Sequence, residues 1–248
     1  MDLPSIGAAV RTAVLVPLFF CYSLVLASIV IVYGWFRPAA PLHDRIVRNF
    51  ARVFLAIAPV RIAMEGRELI DPEVRYVVVS NHLSMFDIPL LFHVLPIKGR
   101  FLSKKELFRI PLIGQAMRTI GIVEIDRASS GSSRAAINEG VTLAAERGYS
   151  LIVFAEGTRS RDGELLPFKK GAFRIAIDTG LPLLPVVIEG TNQVSRPGSK
   201  VIRPGTVKVR VLPPIATADL TNRDDLNPLV KQVEADITET YLAMRAAR

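Results

Sequence analysis

The sequence predicts an α/β domain: a mainly parallel central sheet covered by helices and preceded by an N-terminal membrane helix or helix pair. Three observations predict it. Short β-branched runs alternate with stretches of helix length, the rhythm of strand–helix–strand units. Val77-Val78-Val79 and Leu151-Ile152-Val153-Phe154 are continuous apolar runs, as expected of strands buried on both faces. Residues Thr12 to Phe36 carry no charge.

That uncharged run comes first. At about 1.5 Å per residue a helix of this length spans roughly 37 Å, enough to cross a bilayer core with some tilt. Tyr33 and Trp35 close it with amphipathic rings suited to the headgroup region. It is too long for a signal-peptide core, and Pro17 could divide it into two interfacial helices. Arg37, Arg45, Arg48 and Arg52 follow it against Asp44, so the positive-inside rule puts the bulk of the chain in the cytoplasm. Residues 45–58 predict an amphipathic helix, with Ile46, Phe50, Val53, Phe54 and Ile57 on one stripe and the arginines on another. It either lies on anionic lipid or packs on the domain with a solvated basic face. The organisation is therefore residues 1–58 as membrane-embedded and interfacial helices, then residues 59–248 as one α/β domain.

Within that domain strands are predicted at Val60–Met64, Tyr76–Ser80, Arg100–Leu102, Ile122–Ile125, Ser150–Phe154, Leu184–Ile188 and Val207–Leu212. Helices are predicted near Met85–Leu95, Glu106–Ile120, Ser132–Arg147, Ala172–Thr179 and Leu226–Met244. The Gly- and Pro-containing stretch Thr191–Gly205 reads as a surface connection.

Composition narrows the function. Half of the 248 residues are hydrophobic and the formal charge is +8, with a mean hydropathy of +0.34 and a pI near 9.9. Disorder is excluded by the apolar content. A disulfide framework is excluded because Cys21 is the only cysteine, and its apolar surroundings make a thiolate nucleophile unfavourable. A basic, apolar chain fits nucleic acid or an anionic membrane surface, but the basic residues lack interleaved aromatics for base stacking, which leaves the membrane.

In open α/β sheets ligands bind beyond the carboxyl ends of the strands. Those positions hold Asn81-His82, Lys104-Lys105, Asp126-Arg127 and Glu156-Gly157-Thr158-Arg159, a convergence of polar and cationic groups on one rim. His82 and Asp87 diverge by roughly 140° in an unbroken helix. They meet only if His82 stands in the strand-to-helix turn with Asp87 in the first helical turns, where the carboxylate would fix the imidazole as a base. Taken alone, a His-x4-Asp pair is most often incidental. Three scattered histidines, His43, His82 and His93, offer no metal cage, and no G-x-S-x-G elbow or phosphate-binding G-x-x-x-x-G-K loop is present. Arg127 and Arg159 can grip phosphate bidentately, and Gly157 permits close backbone approach.

The residues also resemble a known family. Asn81-His82-Leu83-Ser84-Met85-Phe86-Asp87 is similar to the NHx4D motif of the glycerolipid acyltransferases, and Gly121–Arg127, Phe154–Ser160 and Leu181–Val186 resemble its three further blocks in order. Lys104–Leu107 and Leu166–Gly171 fit as well, so the resemblance covers residues 59–215. It is nearest to the 1-acylglycerol-3-phosphate (lysophosphatidate) acyltransferase branch. Ala155 departs from the proline usual before Glu-Gly-Thr-Arg, freeing φ at that turn.

The resemblance implies an enzyme of phospholipid synthesis that moves an acyl group from an acyl-CoA or acyl carrier protein thioester to the free hydroxyl of lysophosphatidate. His82 would be the general base, oriented by Asp87. Arg159 would clamp the phosphate, with Lys104, Lys105, Arg127, Glu156, Gly157 and Thr158 completing the substrate site. Backbone N–H groups after His82 would face the developing oxyanion, and the Pro182–Val186 strand would line the acyl site. No metal or bound cofactor is implied, and family habit places such a short chain in a bacterial inner membrane. Another lyso-lipid acceptor is the alternative within the class. Outside it stands a non-catalytic lipid-binding protein, against which the intact His82, Asp87, Glu156 and Arg159 speak.

Overall fold

A computed structural model describes residues 6–37, 41–125, 141, 144, 146–196, 198–221 and 224–247. Seven strands form one sheet: β1 (Val60–Glu65), β2 (Val77–Ser80), β3 (Gly99–Lys104), β4 (Val123–Ile125), β5 (Ser150–Phe154), β6 (Leu183–Glu189) and β7 (Gly205–Val211). Their spatial order is β1-β7-β6-β2-β5-β3-β4, parallel throughout except for the antiparallel β6–β7 pair. The mainly parallel prediction therefore holds, and the short Leu212–Ile215 link lets Ile215 bridge back to Leu183.

The helices are α1 (Ile6–Phe36), α2 (Pro41–Leu55), α3 (Asp87–Val94), α4 (Ile113–Thr119), α5 (Gly171–Thr179), α6 (Thr191–Val194) and α7 (Leu226–Ala246). Alternate residues of each central strand feed opposite faces of the sheet, giving two cores. Val77, Val79, Leu151, Leu183 and Val187 pack with Phe173 of α5 and Val233, Ile237 and Tyr241 of α7. Val78, Ile152, Leu184, Val186 and Ile188 pack with Phe86, Leu90, Leu91 and Leu55 on the other face. β2, β5 and β6 are thus covered on both sides, which explains their unbroken apolar runs.

Three predicted segments differ. The expected helix Glu106–Ile120 is two pieces: a one-turn helix, Lys105–Arg109, and α4, separated where Pro111 disfavours helix at Ile110 and Leu112 takes a φ of 61°. The expected helix Ser132–Arg147 lies mostly outside the described residues. The packed side of α2 is His43-Val47-Ala51-Leu55, one position round from the predicted apolar stripe, and Arg48 donates to the Leu95 and Ile97 carbonyls rather than joining a solvated basic face.

α1 is one unbroken helix through Pro17, and it touches the domain along its whole length. Near its start, Arg11 Nη2 donates to the Ile202 carbonyl at 2.9 Å, and the Thr12 hydroxyl accepts the Ile202 N–H at 3.1 Å. In the middle, Phe19 packs on Phe50 and Phe54, and Asn49 donates to the Tyr22 hydroxyl. Near its end, Ala27 and Val30 meet Ala116 of α4, and Tyr33 meets His43 edge-on. The opposite side shows Val10, Val14, Leu18, Val25, Ile29 and Val32 exposed, a stripe at helical spacing.

A buried arginine fastens the helices to the sheet. Arg100 of β3 is 1 % exposed; it pairs with Asp44 of α2 at 2.6 Å, donates to the carbonyls of Gly99 and Ile120, and lies over the Tyr149 ring.

Candidate active site

The site lies where β2 and β5 end. Asn81 closes β2 with two reciprocal bonds to Ile188: its Nδ2 donates to the carbonyl and its Oδ1 accepts the N–H, both at 2.8 Å. This side chain extends the β2–β6 ladder by one step and fixes where the next residue leaves the sheet.

His82 stands in the following turn, and Asp87 is the first residue of α3. That is the placement the five-residue offset requires. The His82 Nδ1–Asp87 Oδ2 distance is 2.7 Å. The same Oδ2 accepts the N–H groups of Leu83 and Ser84, at 2.7 and 2.8 Å, and the helix starts at Asp87, two residues later than the periodicity suggested. With a carboxylate holding the proton on Nδ1, Nε2 carries the free lone pair. The imidazole stacks flat on Phe154, centroids 3.8 Å apart, and is 13 % exposed.

Glu156 is placed differently from a rim residue. It is 1 % exposed; its Oε1 accepts the His82 N–H at 2.7 Å and its Oε2 the Leu166 N–H at 2.9 Å. Burial pushes its pKa up to about 7, against the pull of those two donors and with a smaller push from the Asp87 charge. Both oxygens are therefore committed to the backbone on either side of the site. Ser160 adds another tie, donating its N–H to the His82 carbonyl at 2.9 Å.

The cations lie outside this frame. Thr158, Arg159 and Lys104 are exposed and Lys105 is half-buried. Arg159 and Lys104 form no ion pair among the described residues. Gly157 takes a φ of 70°, open to glycine at no cost. A Cβ there would come within 2.8 Å of the Lys169 ammonium, so Lys169 lies folded over the turn between Glu156 and Arg159. Sequence reasoning left Lys169 unassigned, although it sits in a segment that fits the family resemblance. Arg127 lies outside the described residues.

Two expectations change. Four N–H groups after His82 are already used: Leu83 and Ser84 by Asp87, Phe86 by the Ser84 hydroxyl, Asp87 by the Ser84 carbonyl. These four are not free for an oxyanion. The Pro182–Val186 segment is a packed central strand with Leu183, Leu184 and Val186 at 0 % exposure, so it is core rather than open lining. The sequence also missed Thr191. The start of the supposed surface connection is buried, and the Thr191 hydroxyl donates to Asp87 Oδ1 at 2.5 Å. Among the described residues, no three His, Cys, Asp or Glu side chains gather as a metal site.

Comparison with known proteins gives the family and the fold. An acyltransferase family model matches residues 61–189. The chain is 32 % identical over 223 residues to a 1-acyl-sn-glycerol-3-phosphate acyltransferase of Limnanthes douglasii, covering 87 % of this chain and 78 % of that one. It is 35 % identical over 203 residues to the alpha form of the same enzyme from Mus musculus, covering 79 % and 71 %. The crystal structure of the 1-acyl-sn-glycerophosphate (LPA) acyltransferase PlsC from Thermotoga maritima superposes with a TM-score of 0.79 at 27 % identity, over 96 % of this chain and 98 % of that chain.

Proposed function

From the premise that this chain is an enzyme of the acyltransferase family, we propose that it acylates the free hydroxyl of 1-acylglycerol-3-phosphate to give phosphatidate. The observation that carries the reading is the His82–Asp87 contact at 2.7 Å, on the rim where Arg159 has no ionic partner among the described residues. His82 Nε2 accepts the proton of the acceptor hydroxyl as that oxygen attacks the thioester carbonyl. The new C–O bond forms, the C–S bond breaks, and the proton passes from His82 to the departing thiolate of acyl-CoA or acyl carrier protein. Such base catalysis supplies about 10²–10⁴ in rate. Arg159, with Lys104 and Lys105, binds the acceptor phosphate, and Gly157 and Thr158 shape the turn that carries Arg159. Glu156 serves this site as a brace between the His82 and Leu166 backbones.

Residues 1–58 form the membrane-facing part and residues 59–248 the catalytic part. Because α1 is fastened at Ile202 near one end and against His43 near the other, it lies along the domain with its apolar stripe in the lipid rather than standing across the bilayer. A helix lying so holds the chain on one face of the membrane; the cytoplasmic side, in a bacterial cell that of the inner membrane, rests on the arginine excess after the apolar run.

The test is acyl transfer by purified membranes carrying wild type, His82→Ala or Arg159→Ala, offered lysophosphatidate, a lysophospholipid or glycerol-3-phosphate. Wild type is expected to make phosphatidate, His82→Ala to lose at least about a hundred-fold in rate, and Arg159→Ala to raise the acceptor KM. Acylation of another acceptor alone overturns the substrate; transfer to none overturns the enzyme and favours a lipid-binding role.

A further inference from the structure

Asp87 is fully buried, and its two oxygens are served unequally. Oδ2 receives the His82 ring and the N–H groups of Leu83 and Ser84, all from its own turn. Oδ1 receives a single donor, the Thr191 hydroxyl at 2.5 Å, from a segment more than a hundred residues away. A carboxylate oxygen in such a place needs a donor, and both Asp87 and Thr191 are 0 % exposed, away from bulk solvent.

The donor's position is built, not incidental. Thr191 opens the one-turn helix α6 after Gly190, whose φ of 93° lets the chain turn sharply off β6. The segment around it is registered against the His82 turn at three points: Asn81 to Ile188, Asp87 to Thr191, and the Ser84 hydroxyl to the Ser195 carbonyl at 2.9 Å. A backbone bond from the Arg203 N–H to the Val194 carbonyl holds its far side.

We infer that Thr191 is a positioning residue of the acyl transfer, the third member of a Thr191–Asp87–His82 chain of hydrogen bonds that sets the angle of the carboxylate and hence of the imidazole. The inference rests on the proposed role of His82. A hydroxyl that donates to Oδ1 also draws charge from the carboxylate. Without it the carboxylate favours the imidazolium more strongly, and less of the enzyme holds the neutral base at a given pH. Glu156, which accepts the His82 N–H and titrates near 7, is another ionisable group in contact with this turn among the described residues, and Glu189 lies buried at the end of β6, two residues before Thr191. Both remain in wild type and variants alike, so the comparison between them isolates the hydroxyl.

The experiment measures kcat and KM for both substrates across pH 5–9 with Thr191→Val, Thr191→Ser and, as a smaller non-donor, Thr191→Ala, beside His82→Ala. The expected result is a ten- to hundred-fold fall in kcat for Val and Ala with both KM values within two-fold of wild type. The acid limb of kcat/KM moves to higher pH by about half a unit, and Ser restores both. If Val does not accumulate as folded protein, Ala and Ser carry the same comparison. Unchanged kcat in either non-donor, a loss not restored by Ser, or a fall with an unmoved acid limb overturns the positioning role. Full activity of His82→Ala overturns instead the reading on which it rests; loss in His82→Ala with unchanged Thr191 variants overturns this inference alone.

Discussion

At residue scale, Glu156 is the most informative side chain. A carboxyl with both oxygens bonded to N–H groups would ordinarily ionise readily, yet its burial outweighs both donors and holds it near 7. Between its ordinary value of 4.5 and about 7 the native state keeps a proton that the unfolded chain has released. Stability therefore declines as pH rises through that window, by about 3 kcal/mol at 1.36 kcal/mol per pH unit. Glu156→Gln stays neutral and is expected to lose that decline, measured as the difference in denaturant midpoint between pH 5 and pH 8. It also turns one N–H donor against another at His82 or Leu166, so its stability at pH 5 falls below that of wild type by about 1–3 kcal/mol. Part of this was legible in the chain: Glu156 follows a strand and so belongs on the rim. Its inward turn was not, because the two partners that capture it, the N–H groups of His82 and Leu166, are backbone groups that no residue type announces. Thr191 escaped notice for a related reason. A threonine in a Gly- and Pro-containing stretch looks like loop chemistry until the β2–β6 register brings it beside Asp87.

At the scale of elements, the junction of α1, α2, α4 and β3 rests on charges inside the protein. Removing Asp44 leaves the Arg100 guanidinium buried against Tyr149 with only carbonyls for company. Asp44→Ala is therefore expected to cost about 3–5 kcal/mol in chemical denaturation, as broken buried pairs do. His43 beside it is fully buried with neither ring nitrogen bonded. Its pKa lies below 6.5, chiefly through burial and then through the Arg100 charge, with Asp44 opposing. The unfolded chain binds a proton before the native state does, so this group removes stability as pH falls below 6.5. Thermal melts of His43→Leu should show a smaller loss between pH 7 and pH 5 than wild type. The sequence could not reveal this junction. It expected a helix over residues 45–58 where α2 spans Pro41–Leu55, and took its apolar face from residue spacing, whereas the packed stripe through His43, Val47 and Ala51 is chosen by where α1 and the sheet lie.

For the whole molecule, strand positions were the most legible feature, because strands covered by helices on both faces must be apolar throughout. The antiparallel turn of β7 was less so, since an apolar strand carries no mark of its direction. The long uncharged run is apolar enough for lipid but does not tell its attitude; the proposed attitude, along the domain, rests on its contacts at Ile202, Phe54 and His43. That attitude has a measurable outcome. Replacing Val14, Leu18 and Val25, all on the exposed stripe, by serine removes three side chains worth about 1.5–3 kcal/mol each when fully buried. Binding to phospholipid vesicles in a sedimentation assay is expected to fall by at least about a hundred-fold. Turnover of detergent-dispersed acceptor stays within two-fold, because none of the three touches the rim.

One atom described above does two jobs. Asp87 Oδ2 closes a ring of contacts with Leu83, Ser84 and the His82 imidazole. Two of those three partners are main-chain groups that need the carboxylate whether or not any acyl group is ever moved. A descendant that had abandoned chemistry would still be held to an acidic residue at this position by the demands of the turn. It would be freer to drift at His82, whose imidazole is tied to the turn by Asp87 alone and otherwise only stacks on Phe154. Among degenerate copies of this gene, then, on the proposed role of His82, loss of the histidine would mark the end of catalysis, while survival of the aspartate says only that the protein still folds.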